Sequence, residues 1–144
     1  MITNQNSDDI MEIIDTYSKE YAEDTIIDEY RLREMLLKIA GLKGKWVTYK
    51  AINKAKLYNL KRERDDLIEE AVPAIQSKRE AEGHNVTKKG AEMILRNTKK
   101  FKDLDNSITK LTILSEYFED SVKCIQFINN DIKNLIDTIK VDEM

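Results

Sequence analysis

The sequence predicts an all-α protein: an elongated helical hairpin or bundle with a long heptad-patterned C-terminal helix, and one that oligomerises. Three observations carry this. Only 4 Gly and 1 Pro punctuate the 144 residues, and charged residues reach 35% against 7% aromatic, which suits long helices and argues against a sandwich or barrel. In the last third, apolar residues recur at spacings of three and four without a slip. Residues 35–62 hold eight Lys or Arg and no Asp or Glu, inside a chain of net charge −3. Such a segment makes a local positive surface, whose usual partner is a polyanion.

The length fits one domain, residues 1–144. Hydrophobic residues are 41%, but much of that is Ala and Tyr, so a lone subunit of long helices has a thin core. Burial between subunits is the remedy, which is why an oligomer is expected. The single cysteine, Cys124, has no internal disulfide partner and sits in a strongly periodic stretch, so it reads as structural filler in a reducing compartment. The polar start lacks the order of a signal peptide, and no apolar run approaches the ~18 residues of a membrane span. A cytoplasmic protein without membrane contact is expected.

Residues 1–40 form acidic N-terminal helices. The first 30 residues carry nine acids against Lys19 alone. Ser7 reads as a helix cap, with Asp8 and Asp9 in the first turn. Ile10, Ile13, Ile14, Tyr17 and Tyr21 mark one face. That face either packs on the protein's own bundle or belongs to a detachable acidic helix that competes for the basic segment. A second helix is expected over 28–39, with Leu32, Met35, Leu36 and Ile39 inward. Gly41 and Gly44 then weaken the helix and suggest a bend or joint.

The basic helix is expected over 42–72, stopping at Pro73. At about 100° per residue, Lys43, Lys50, Lys54 and Lys61 share one line. Leu42, Trp46, Tyr49, Leu60 and Leu67 share another, roughly a quarter-turn away. The lysine line extends ~27 Å at ~1.5 Å per residue, a track for a phosphate backbone. Tyr58 lies nearer the lysines and can stack a base, whereas Trp46 lies between the lines and reads as core. A lysine row can also be a plain solvated face, but such a face normally mixes signs to gain Glu–Lys pairs.

Residues 73–87 read as a loop region, with Thr87 capping the helix after it. Lys88, Lys89, Arg96, Lys99, Lys100 and Lys102 form a second basic patch. Residues 88–140 are the long C-terminal helical segment, as one helix or two. Its seam runs through Phe101, Leu104, Ile108, Leu111, Ser115, Phe118, Val122, Ile125, Asn129, Ile132, Ile136 and Ile139, the face for a bundle or oligomer. Asn129 either sets register or stoichiometry in that seam or occupies its wet end.

No His–Cys metal spacing, nucleophile elbow or glycine-rich phosphate loop is present. The expectation is a protein that is not an enzyme and uses no cofactor or metal. Two functional classes remain. One is a nucleic-acid binder; the other is a helical coiled-coil assembly or chaperone protein without nucleic-acid binding.

Several residues together carry a resemblance. Ile27-Asp28 precede a Leu-rich helix, and Gly44-Lys45-Trp46 open a Lys-rich helix with no acids. Lys99-Lys100-Phe101-Lys102 come next, and Ile132-Lys133-Asn134 lie in a long final helix. Over roughly residues 26–139 this order resembles the UvsY family of tailed-phage recombination mediators. The resemblance implies a non-enzymatic oligomer, a ring, that binds single-stranded DNA. It implies a role in loading a RecA-like phage recombinase onto strands coated by single-strand-binding protein, in the cytoplasm of an infected cell. It carries DNA contact onto Lys45, Trp46, Lys50, Lys54, Lys61 and Arg62. Two departures stand out. Asp65, Asp66, Glu69 and Glu70 occupy a stretch that is basic in the family. Ile128-Asn129-Asn130-Asp131 stand where an Arg-Gly-Phe is common.

Overall fold

The computed structural model describes residues 2–142, with side chains from Ile10 onward. Among these residues there are four helices and no strand: α1 (Ile2–Asp24), α2 (Leu32–Ala81), α3 (Lys88–Arg96) and α4 (Lys99–Asp142). The chain divides into two compact units. The first contains the residues up to Asn53 and those from Ile113 onward, and the second is Lys54–Thr112.

In the first unit, α2 and α4 meet along a seven-residue repeat. Leu32, Ile39, Trp46 and Asn53 are each seven apart on α2, and all four are buried. Phe118, Ile125 and Ile132 repeat the interval on α4 and are also buried. A repeat of seven keeps one stripe of each helix facing its partner over several turns. The pairing is antiparallel: Lys43 Nζ reaches Gln126 Oε1 at 2.6 Å, while Asn53, further along α2, reaches Ser115, further back on α4. Asn53 Nδ2 donates to Ser115 Oγ at 2.7 Å, so a polar pair sits inside the seam and favours this register over its neighbours. Asn129 is only half-buried. Register is thus specified by a buried polar contact involving the seam's Ser115, with Asn53 as its partner.

The acidic helix packs on this pair. Tyr17 stands edge-on to Phe118 at 4.9 Å and Tyr21 edge-on to Trp46 at 5.5 Å between ring centroids. The packing reading of α1 therefore holds for its described side chains. Its start differs from expectation, because the helix begins at Ile2 and Ser7 lies in its interior, not at its cap. The side chains of Ser7, Asp8 and Asp9 lie outside the described residues.

Helix α2 is one helix of 50 residues, where two were expected. Its start is Leu32, not Asp28; Asp28 instead closes the preceding turn, accepting from Tyr30 N at 3.0 Å and from Arg31 N at 3.1 Å. Gly41 and Gly44 do not interrupt α2. Each costs the helix about 1 kcal/mol, but the buried Ile39 and Trp46 flank them and packing outweighs propensity. Pro73 does not end the helix either. It sits on the exposed side, while Val72, Ala71 and Ile75 on the other side pack into the second unit's core. The expected loop over 73–87 shrinks accordingly, since helix continues to Ala81.

The second unit's core joins Val72, Ala91, Leu95 and Phe101, with Leu67, Ile68 and Val86 against it. Gly83, at φ +84°, turns the chain after α2. His84 N donates to Arg79 O and Gly83 N to Glu80 O, the paired bonds of a helix end that needs a left-handed residue. Thr87 then caps α3 as expected, its hydroxyl accepting from Gly90 N at 3.0 Å. Residues 88–140 form two helices. The break is at Asn97-Thr98, where the Thr98 hydroxyl donates to Leu95 O at 2.6 Å and accepts from Phe101 N at 3.3 Å. One hydroxyl thus ends α3 and starts α4, and the buried Leu95 stands six residues before Phe101, outside the three-and-four spacing that follows.

Of the expected seam, Ile108, Phe118, Ile125 and Ile132 are buried; Leu111, Val122, Asn129 and Ile136 are half-buried; Ile139 is exposed. A Cβ placed at Gly41 or Gly44 meets nothing within 4 Å. Gly41→Ala and Gly44→Ala are therefore each expected to stabilise the protein by about 0.5–1 kcal/mol in urea denaturation. A loss of stability instead would mean that another helix uses the space above them.

Candidate nucleic-acid interface

Charge segregates between the two units. Lys54–Thr112 holds 14 basic and 10 acidic residues, a net of +4. The remainder holds 10 basic and 17 acidic, a net of −7. An acidic protein thus concentrates positive charge in its second unit. A polyanion's affinity depends on that local field more than on the net charge of the chain.

The expected site residues fall on both sides of this division. In the first unit, Lys43 is exposed and bonded to Gln126, and Lys50 is half-buried. Lys45 is committed elsewhere: its Nζ lies 2.8 Å from Asp24 Oδ2 and 2.9 Å from Glu20 Oε1. The bond to Asp24, then that to Glu20, raises its pKa above the ordinary lysine value. Trp46 is completely buried, and its indole Nε1 donates to the same Asp24 oxygen at 3.1 Å. Its ring meets Tyr17, Tyr21, Tyr49 and Phe118 at centroid distances of 5.4–6.2 Å. In this conformation Lys45 and Trp46 attach α1 to α2, and Trp46 is closed to any ligand. The core reading of Trp46 describes its position.

In the second unit, Lys54, Lys61 and Arg62 are exposed, as is Lys56, and none has an ion-pair partner among the described residues. Tyr58 is 62% exposed, enough for one ring face to take a stacked base. Arg64 alone on this stretch of α2 is paired, with Asp105 at 3.4 Å. Of the second patch, Lys88 and Lys89 lie in the first turn of α3, and Lys99 and Lys100 in that of α4. All four are exposed, as is Lys102. First turns normally favour acids, because unpaired N–H groups make them positive. Lysines there give up a little helix stability and add to the positive potential. Arg96 lies over the Phe101 ring at 5.4 Å, so its cation is partly engaged.

The α1 clasp was the feature least visible in sequence. The signal available was the acid excess of residues 12–24 beside a lysine adjacent to the only Trp. Tyr49 completes it, donating from its hydroxyl to Glu20 at 2.9 Å. That bond, then burial, raises Tyr49 from its usual value. Tyr21 is raised first by burial and then by the neighbouring Cys124 thiol. Cys124 itself is exposed. Among the described residues no cluster of His, Cys, Asp and Glu could hold a metal, and no helix is long and apolar enough to cross a membrane.

The sequence profile of the family described as recombination, repair and ssDNA binding protein UvsY matches residues 20–143. Two crystal structures of the bacteriophage T4 recombination mediator protein UvsY superpose on the chain with a TM-score of 0.74 each. The lattice type IV structure is 16% identical and covers 90% of this chain and 98% of its own. The type II structure is 17% identical, covering 90% and 97%. At this identity the likeness establishes the helical fold. No curated protein matches by sequence.

Lys45 and Tyr49 both have raised values in the folded protein, so what they contribute to stability is complete below about pH 10 and is lost as pH rises further. Alkaline titration of the single Trp's emission is expected to show α1 releasing above that point. Lys45→Met with Tyr49→Phe should flatten the alkaline transition. An unchanged transition would mean that ring packing alone holds α1.

Proposed function

The chain belongs to the UvsY family of recombination, repair and single-stranded-DNA-binding proteins, and we propose that it acts as a recombination mediator through the second unit's face of α2. The observation that carries this is the group Lys54, Lys61 and Arg62 with Tyr58: exposed, without ion-pair partners among the described residues, and inside the positively charged unit. The cations take phosphates and the tyrosine ring takes a base, which suits single strands, whose bases are free to stack. Lys89, Lys99, Lys100 and Lys102 extend the same field, with Lys43 and Lys50 as lesser contributors.

The role proposed is to help a phage RecA-like recombinase load onto strands coated by single-strand-binding protein, without catalysis, in the cytoplasm of an infected host. Three or four phosphate contacts per subunit make a weak site at physiological salt. Repetition around a homo-oligomer, a ring, turns weak sites into a strong hold on one strand. Each site still exchanges quickly, which lets the strand be handed on. Exposed Phe127, Leu135, Ile139 and Val141 on α4 supply apolar surface for that assembly.

The direct test is titration of labelled oligo-dT against a duplex of equal length across a range of salt. Single strands should bind more tightly, with log K falling against log salt at a slope of about −2 to −3 per subunit. Lys54→Ala with Lys61→Ala should reduce that slope by about 1.4 and leave helicity and oligomer size unchanged. Tyr58→Ala should weaken binding by about 1–3 kcal/mol with no change in slope. Binding to oligo-dT that these variants leave intact would remove this face of α2 from the interface.

A further inference from the structure

Charge along α2 reverses abruptly. Lys54, Lys56, Lys61 and Arg62 give way to Asp65, Asp66, Glu69 and Glu70. These carboxylates repel phosphate, so they end a nucleic-acid track instead of extending it. Two of them, Asp65 and Glu69, line a groove of about 550 Å³ between α2 and α3. Ile68, Val72 and Pro73 give it an apolar lining, and α3 contributes Glu92 and a single cation, Lys88. A second hollow of about 440 Å³ shares Pro73 and Gln76 with the first and adds Glu80.

Pro73 contributes something further. It has no N–H, so the carbonyl of Glu69, four residues back in the helix, loses its usual donor. The groove itself combines apolar contact surface with carboxylates. The carboxylates call for a cation.

We propose that this groove docks a lysine- or arginine-bearing segment of a partner protein, anchored by an apolar side chain against Ile68 and Pro73. Charge complementarity selects that occupant. Asp65, Glu69 and Glu92 outnumber Lys88 on the groove, with Glu80 beyond, so an acidic segment is repelled and a nucleic-acid backbone is excluded. The site is independent of the cations proposed to hold DNA on α2. One helix would thus offer a polyanion surface and, a few turns later, a polycation surface. A mediator that must contact a strand and a protein together has use for both.

The test uses the full chain and two labelled amphipathic peptides with identical leucine positions, one carrying lysine elsewhere and the other glutamate. The lysine peptide should bind and the glutamate peptide should not. Asp65→Lys with Glu69→Lys should weaken the lysine peptide about tenfold or more. Glu12→Lys with Glu23→Lys, the same charge change on the exposed side of α1, should have little effect. Oligo-dT binding by the groove variant should hold or rise. Equal binding of both peptides, or equal loss in both charge variants, overturns the proposal. So does a groove variant that shifts the sedimentation coefficient while retaining the peptide, since the occupant would then be a second copy.

Discussion

The burial of Trp46 is the contact on which the first unit depends. Its indole contributes to three helix contacts at once: edge-on rings from α1, the neighbouring Tyr49 of α2, and Phe118 of α4. A buried indole N–H needs an acceptor, and Asp24 supplies it. A carboxylate that close to a buried ring needs a cation, and Lys45, one residue before Trp46, supplies that. Burial of one large side chain thereby accounts for the position of α1, the pairing of its acids, and the engagement of Lys45 by carboxylates.

This arrangement changes how the basic stretch is read. Continuous in sequence, it is divided in space by what each lysine faces. Lys45 compensates α1, Lys43 meets an amide on α4, and the cations from Lys54 onward face water. The acidic charge of the chain gathers around the first unit and the basic charge in the second. Segregation of this kind lets a protein of net charge −3 present a surface that attracts phosphate, while its remaining surface repels nucleic acid and limits unspecific contact.

The fold and the family's role meet in the economy of long helices. Helix α2 supplies a heptad seam, a row of exposed cations and an acid-lined groove in succession along 50 residues. Helix α4 supplies the opposing seam in the first unit and leaves apolar side chains exposed near its C-terminal end.

Much of this was decided by sequence alone. Few glycines and one proline, the unbroken three-and-four spacing of α4 and the carboxylate-free run of lysines are local or periodic signals, and they required helices, a seam and a positive surface. Thr87 as a cap was legible for the same reason: the backbone N–H it satisfies lies three residues on. Three features were decided only by the tertiary structure. Gly41, Gly44 and Pro73 weaken a helix by amounts that packing of Ile39, Trp46 and Val72 outweighs, so α2 continues where propensity alone would stop it. The break at Asn97-Thr98 rests on one hydroxyl shared between two helix ends, and neither residue forbids a continuous helix. Which lysines face solvent depends on carboxylates more than 20 residues away, because an ion pair is made in space, and no spacing along the chain encodes it.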